Sequence, residues 1–368
     1  MKAYIAGGCY EHGRNSFLIE GSEYSLLVDC GTMQGSEEPN PYLSKDQISK
    51  IRYVFLTHSH KDHVGSLEWL YEQGFNGKVY LSKETYEQIP CKPKSYVLLD
   101  ISENKTVKID KELELSYGRS GHCVGSLWFI IFFNDKKILF TGDYCKDSEA
   151  YICDELRDTC VDMAFVDCAY GTKVGTALQN AEKLKQRINE CFLQGKHVLL
   201  AVPPNGRAFV LIKLVSASQY GNSIAVDTVI KKRIESSEQW NEWLKSDISF
   251  KNVSEMRNKT FDDATVVLVA DAQLKSEENQ MLAQGILKKE GKIIFTGHTD
   301  LNSYASQLVK MGQADLLIYS VHQNLEEALE LCKKNQWSKV ILTHCSKELP
   351  IEDSSKFLKV KTKDEIPF

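Results

Sequence analysis

Residues 57 to 63 read Thr-His-Ser-His-Lys-Asp-His and follow directly on the apolar run from Tyr53 to Leu56. Alternate side chains of an extended strand share a side. His58 and His60 can therefore converge on one ion, while Asp62 and His63 open the next helix and face a second. Three of the chain's nine histidines fall in this stretch, a concentration that a His-rich surface loop does not call for. Other ionisable residues recur in one local setting. Asp143 ends KKILFTGD, Asp167 ends MAFVD, His322 follows DLLIYSV and His344 ends KVILTH, each at the carboxyl edge of an apolar run. His122 sits in the loop Ser120-Gly121-His122. A single His or Asp after a strand is commonly a turn or cap residue. Ligands in α/β proteins gather at the carboxyl ends of strands, so these distant positions can form one pocket.

Such a pocket needs a sheet to hold it, and the sequence supplies one. From residue 51 onward, apolar β-type runs alternate with helical patterns: RYVFLT then DHVGSLEWLYEQG, HVLLAV then GRAFVLIKLVSASQYG, ATVVLVA then SEENQMLAQGILKKEG, KIIFTG then LNSYASQLVKMG, and finally DLLIYS, NLEEALELCKK and KVILTH. Alternation of this kind argues an α/β fold. Residues 1 to 50 and 96 to 142 carry more short strands and are expected to pair partly antiparallel. A seam is expected near Tyr170, Gly171 and Thr172, before a helix in which Ala177, Ala181, Leu184, Ile188 and Phe192 keep helical spacing.

With 42% hydrophobic and 26% charged residues, 22 Gly and 8 Pro among 368, the composition excludes disorder, collagen and coiled coil. No apolar run is long enough for a membrane span, and MKAYIAGGCYEHGRNSF is interrupted too early for a signal peptide. The expectation is a cytoplasmic protein without a membrane partner. Its 11 cysteines, an odd number without any C-x-x-C, are expected to be reduced. A net charge of −5 excludes coating of nucleic acid by bulk electrostatics.

HSHKDH, SGHCVGS, FTGD and VILTH, in that order, resemble the successive metal motifs of the metallo-β-lactamase superfamily. DCAYGT, AVPPNGRAFVLIKL, KIIFTGH, YSVHQNLEEAL and THCSKE narrow the resemblance to its β-CASP branch, whose members are chiefly nucleases. The resemblance implies a metallo-β-lactamase αββα sandwich, an α/β fold over residues 1–173 and 316–368, interrupted by an inserted β-CASP α/β domain over 174–315. It implies one zinc on His58, His60, His122 and Asp143, and a second on Asp62, His63, His344 and the shared Asp143. Imidazole and carboxylate suit Zn²⁺, with iron or manganese open at the same ligands. Two such ions activate a bridging water and clamp a phosphate. His344, kept here, favours RNA over DNA. The chain departs from the family at His298, Asn324 and Cys345, where Tyr, Asp and Gly are usual.

The expected catalytic residues are Asp62, Asp167 and His322, the last two as a general-acid pair. Residues 174–315 hold 18 Lys+Arg and 16 Asp+Glu, so the insert is mildly positive against a remainder of −7. With only 24 residues after His344, substrate grip is expected from the insert. Arg207, in Asn205-Gly206-Arg207 at a strand-to-helix turn, is the expected phosphate contact. Cys123, Cys145, Cys168 and Cys345, each beside a site position, read as buried packing residues, and His12 as structural or surface. The leading expectation is a ribonuclease, and a homodimer is compatible with the sequence. The alternatives are a dinuclear hydrolase of esters, lactones or thioesters, and a non-catalytic scaffold.

Overall fold

The computed structural model describes all residues except 103–104, 173–174, 218–223, 257–264 and 352–354. The chain divides into two compact units, one of residues 1–146, 152–173 and 322–368, the other of 147–151 and 174–321. The first expected boundary, 173/174, lies outside the described residues. The second, 315/316, falls inside the strand Ala314–Leu316, which pairs in parallel with Lys292–Phe295, so the insert's compact unit continues beyond it.

The first unit contains two sheets. One runs in the order Glu365–Pro367, Lys2–Gly7, Ser16–Glu20, Ser25–Val28, Ile51–Phe55, Lys78–Ser82, Tyr96–Leu99. It is antiparallel at its start and parallel from Ser25–Val28 onward. The other runs Gln336–Thr343, Cys160–Asp167, Lys136–Phe140, Leu127–Phe133, Leu113–Arg119, Thr106–Lys108, with its first three strands parallel. Strand alternation sorts their side chains. Phe17 and Phe55 of one sheet meet Phe140, Phe165 and Phe129 of the other at ring distances of 5.0–6.0 Å. Residues one step along, such as Leu18, Val54 and Val79, turn outward under the helix Leu67–Glu72. Leu139, Ala164, Val166 and Val340 do the same under the helix Leu325–Lys333. The result is helix, sheet, sheet, helix, the αββα arrangement expected.

The helical pattern after Thr57 is broken in two, Lys61–Val64 and Leu67–Glu72, because Gly65 ends the first turn and Ser66 precedes the second. The second unit is a six-stranded parallel sheet in the order Val253–Glu255, Ile224–Val226, Val266–Val269, Val198–Ala201, Lys292–Phe295, Ala314–Leu316. The helix expected from Gly175 runs Ala177–Leu193, capped by Thr176 and Gln179 in a capping box. No helix among the described residues is long and apolar enough to cross a membrane.

The second sheet of the first unit is pinned near His122 by one carboxylate. Asp154 accepts from Arg119 N at 2.9 Å and Arg119 Nη2 at 2.7 Å, and pairs with Lys105 Nζ at 2.8 Å. Burial opposes charge on Asp154, but Arg119 and Lys105 outweigh it and hold the carboxyl down to about 2. A depressed carboxylate stabilises the fold above its unfolded pKa and loses that contribution as pH falls through the folded one. Asp154→Asn should therefore lower the melting temperature at neutral pH. The difference from the parent, followed by thermal denaturation, should narrow as pH falls from about 4 towards 2; a constant gap would show that packing, not charge, is what Asp154 provides.

Candidate metal centre

The strands end where chemistry begins. Val28, Phe55, Phe140, Asp167 and Thr343 close parallel strands, and the next residues carry Asp29, Thr57 to His63, Asp143 and His344. A cavity lined by Phe17, Phe140 and Phe165 is also lined by Asp29, His63, Asp143 and His344, so both sheets open onto one site.

Asp143 is the centre of it. Its Oδ2 lies 3.2 Å from His58 Nε2 and 3.4 Å from His122 Nε2, while its Oδ1 lies 3.1 Å from His63 Nε2 and 3.2 Å from His344 Nδ1. His60 Nδ1 is 3.1 Å from His122 Nε2, and Asp62 Oδ2 is 3.1 Å from His344 Nε2. Two sets of side chains thus converge with their ligand atoms close enough for one ion each: His58, His60, His122 and Asp143, and Asp62, His63 and His344. A third convergent set, Asp143, Asp167, His322 and His344, overlaps both. His322 Nδ1 is 3.2 Å from Asp167 Oδ2. The Asp167 carboxylate also accepts the backbone N–H groups of Tyr144 and Ala169 at 3.0 Å.

The donor set fits a metal. His58 Nε2, His60 Nε2 and His344 Nδ1 are buried without any hydrogen bond of acceptable geometry, although Asp143 oxygens lie 3.2 Å from two of them. Buried polar atoms are normally satisfied, so lone pairs gathered around carboxylate oxygens instead of bonding mark a cation position. The crowding of these groups shows in their proton affinities. Burial, with His58 close by, pushes His60 down to about 3. Burial works against charge on His344 as well, yet Asp143 and Asp62 raise it to about 10. Burial would raise Asp143 and Asp62, but the surrounding imidazoles hold both carboxyls well below the usual range.

Neighbouring residues aim the rings, and the sequence reading missed them. Asp29 accepts from Thr57 N at 2.7 Å, Thr57 Oγ1 at 2.8 Å and His63 Nδ1 at 2.7 Å. With its proton given to Asp29, Thr57 Oγ1 accepts from His58 Nδ1 at 3.1 Å. Both rings are thereby set with Nε2 as the lone pair, the arrangement a ligating His requires. Asp29 ends YSLLVD, the same signal that exposed Asp143 and Asp167. Asn15 donates to His63 Nε2 at 3.1 Å and had no such signal.

The turn carrying Asp62 and His63 is only four residues, too short to hold itself, and its carbonyls are used from outside. Lys61 O accepts from Thr32 N at 2.9 Å, Asp62 O from Asn15 N at 2.8 Å and His63 O from Cys30 N at 2.7 Å. Gly31 is needed there because a Cβ on it would fall 1.7 Å from Asp62 O.

Arg207 belongs to the second unit, at the first position of the helix Arg207–Ser216. Its Nε is buried without a hydrogen bond among the described residues, and a Cβ on Gly297 would come within 2.0 Å of its Nη1, so the guanidinium lies against the backbone at Gly297. Cys123, Cys145, Cys168 and Cys345 are buried and join none of the convergent sets among the described residues.

Residues 9–185 match the model of the metallo-β-lactamase superfamily. That stretch of the chain is similar to the metallo-β-lactamase superfamily. It is 22% identical to Endoribonuclease YSH1 of Kluyveromyces lactis over 94% of this chain and 55% of that one. It is 24% identical to the Integrator complex subunit 11 homolog of Dictyostelium discoideum over 59% and 34% of the two chains. A further relative is Transcription termination factor FttA of Methanosarcina mazei, 29% identical over 39% and 27%. The chain spans about half or less of the length of these curated relatives. In fold it resembles a crystal structure of a protein of unknown function from Enterococcus faecalis V583, with a TM-score of 0.65 at 12% identity over 99% of both chains.

Asp29→Ala should weaken metal affinity about 10- to 100-fold, as loss of an orienting partner does, measured by competition with a chromophoric chelator. Gly31→Ala should displace Asp62 and lower the metal content. If both variants hold metal as tightly as the parent, the clamp described here does not position the ligands.

Proposed function

We propose that the chain is a metal-dependent phosphodiesterase that cleaves RNA with two zinc ions, held by His58, His60, His122 and Asp143 and by Asp62, His63, His344 and the shared Asp143. The observation that carries the reading is the Asp143 carboxylate, whose two oxygens face different groups of imidazoles at 3.1–3.4 Å. RNA as substrate is supported by relatives named as an endoribonuclease and as a transcription termination factor.

Two divalent ions at these groups would supply Lewis acidity to the phosphate and activate a water for attack. The chain's own residues do the rest. Asp29 and Thr57 fix His63 and His58 by hydrogen bonds, so the ligand set needs little rearrangement to bind. Asp62 lies at the rim of the group, half-buried and next to His344, where it can both ligate and orient the attacking water. His322 has Nδ1 engaged by Asp167, leaving Nε2 to pass a proton to the oxygen that departs as the P–O bond breaks. Asp167, satisfied by two backbone amides, holds that ring in place.

The test is incubation of the metal-loaded chain with end-labelled RNA, matched single-stranded DNA and a panel of carboxylic esters, lactones and thioesters, each with and without chelator. RNA cleavage abolished by chelator is expected. Hydrolysis of the ester panel alone would transfer the chain to acyl chemistry. His322→Ala should retain two ions by elemental analysis while turnover falls about 10²–10⁴-fold, the usual weight of a general acid. Loss of an ion in that variant would make His322 a ligand, as the third convergent set permits. Asp143→Ala should lose both ions.

A further inference from the structure

The loop between the first two strands, residues 8 to 15, is held in an unusual backbone shape. Gly8, Tyr10, Gly13 and Arg14 all have positive φ, at 89°, 59°, 105° and 40°. Tyr10 and Arg14 have side chains that disfavour this region, so the surroundings must impose it. Glu11 does so from within: its Oε1 accepts from Gly8 N at 3.1 Å, Arg14 Nε at 3.0 Å and Thr362 Oγ1 at 3.0 Å. Arg14 is 5% exposed, reaches the Glu38 carbonyl, and lies 4.5 Å from the Tyr42 ring centroid. From outside, His344 N donates to Gly8 O at 2.7 Å and Thr362 N to Cys9 O at 3.3 Å.

The loop carries one exposed imidazole. His12 is exposed, between the braced Glu11 and the buried Gly13, and its ring stands edge-on to His344 with centroids 5.7 Å apart and planes at 73°. His344 is one of the proposed ligands and contacts Asp62 and Asp143. The strain could serve only to bring Asn15 onto Asp62, but that contact uses Asn15 and no atom of the His12 ring. Backbone strain that is over-determined by its surroundings clusters where a side chain must be presented.

We propose that His12 is a substrate-contacting residue whose imidazole N–H donates a hydrogen bond to a non-bridging oxygen of the phosphate at the metal centre. An imidazole keeps at least one N–H in either charge state, so the contact does not depend on its titration. The assignment rests on the phosphodiesterase reading, and it gives the first unit its own grip on the substrate.

The test compares His12→Phe, which keeps a ring against His344 but removes the donor, with His12→Gln, which keeps an N–H donor. The full metal-loaded chain is titrated with inorganic phosphate by calorimetry, with metal content measured in parallel and KM and kcat determined on end-labelled RNA. His12→Phe should bind phosphate about tenfold more weakly, the loss of one hydrogen bond to a charged group, and should show a raised KM. His12→Gln should stay close to the parent, and both variants should hold the parent's metal content. Parental phosphate affinity in His12→Phe would overturn the proposal. So would equal losses in both variants together with lost metal, which would make His12 a packing partner of His344. Failure of the RNA reading shows separately, as a parent that binds phosphate and metal but leaves RNA intact; the phosphate titration then still decides His12.

Discussion

A carboxylate buried between two groups of imidazoles is the constraint on which the rest of the first unit depends. Asp143 is 2% exposed, and an ionised group taken that far from water is costly unless it is fully compensated. Compensation has to arrive from both sides, because the two oxygens point apart. That requirement explains why the strand Lys136–Phe140 lies inside its sheet, next to Cys160–Asp167, and why the facing sheet delivers His58 and His63 to the same level. The aromatic layer between the sheets, with Phe17 of one sheet 5.0 Å from Phe165 and 6.0 Å from Phe140 of the other, sets the separation at which the strand ends can share one carboxylate. Gly142, with φ at 54°, lets the chain turn there while Thr57 packs against it; a Cβ would lie 2.9 Å from that of Thr57.

The imidazoles are only as well placed as their backbone. The turn Lys61–Val64 gains almost nothing from its own hydrogen bonds, so its orientation is borrowed from the segments at Asn15 and at Cys30 to Thr32. Those segments lie just before the second strand and just after the third, which means that register in the first sheet is transmitted to the geometry of Asp62 and His63 through main-chain bonds. Main-chain bonds of this kind are insensitive to side-chain identity, which leaves the neighbouring sequence free to vary provided that Gly31 stays small.

Much of this is legible in the sequence. The His58 to His63 stretch, Asp143 and His344 announce themselves because chemistry-bearing residues sit directly after apolar runs, and a strand's end is a place that periodicity locates well. The layers were legible for the same reason: strands and helices alternate with clear patterns from residue 51. What stayed hidden is what periodicity does not encode. Asp29 carries the same signal as Asp143, but its role is to receive three hydrogen bonds, which only the folded neighbourhood reveals. Asn15 and Gly31 act through backbone contacts 31 to 47 positions away in sequence. The break of the helix at Gly65 and Ser66 and the extension of the second unit's sheet through Leu316 are boundary matters, where local sequence and tertiary pairing compete.

The order in which the chain emerges during synthesis gives the two proposed ligand groups different histories. His58, His60, His122 and Asp143 are all present once the first sheet, apart from its edge strand Glu365–Pro367, and most of the second have been made, whereas the other group waits for His344, which arrives after the inserted unit. Until Gln336–Thr343 is released, Cys160–Asp167 has no partner on that side and presents an open strand edge of eight residues. Every nascent copy therefore passes through a stage with one complete ligand group, one incomplete group and an adhesive edge. Gln336–Thr343 closes the edge and carries His344 to the second group.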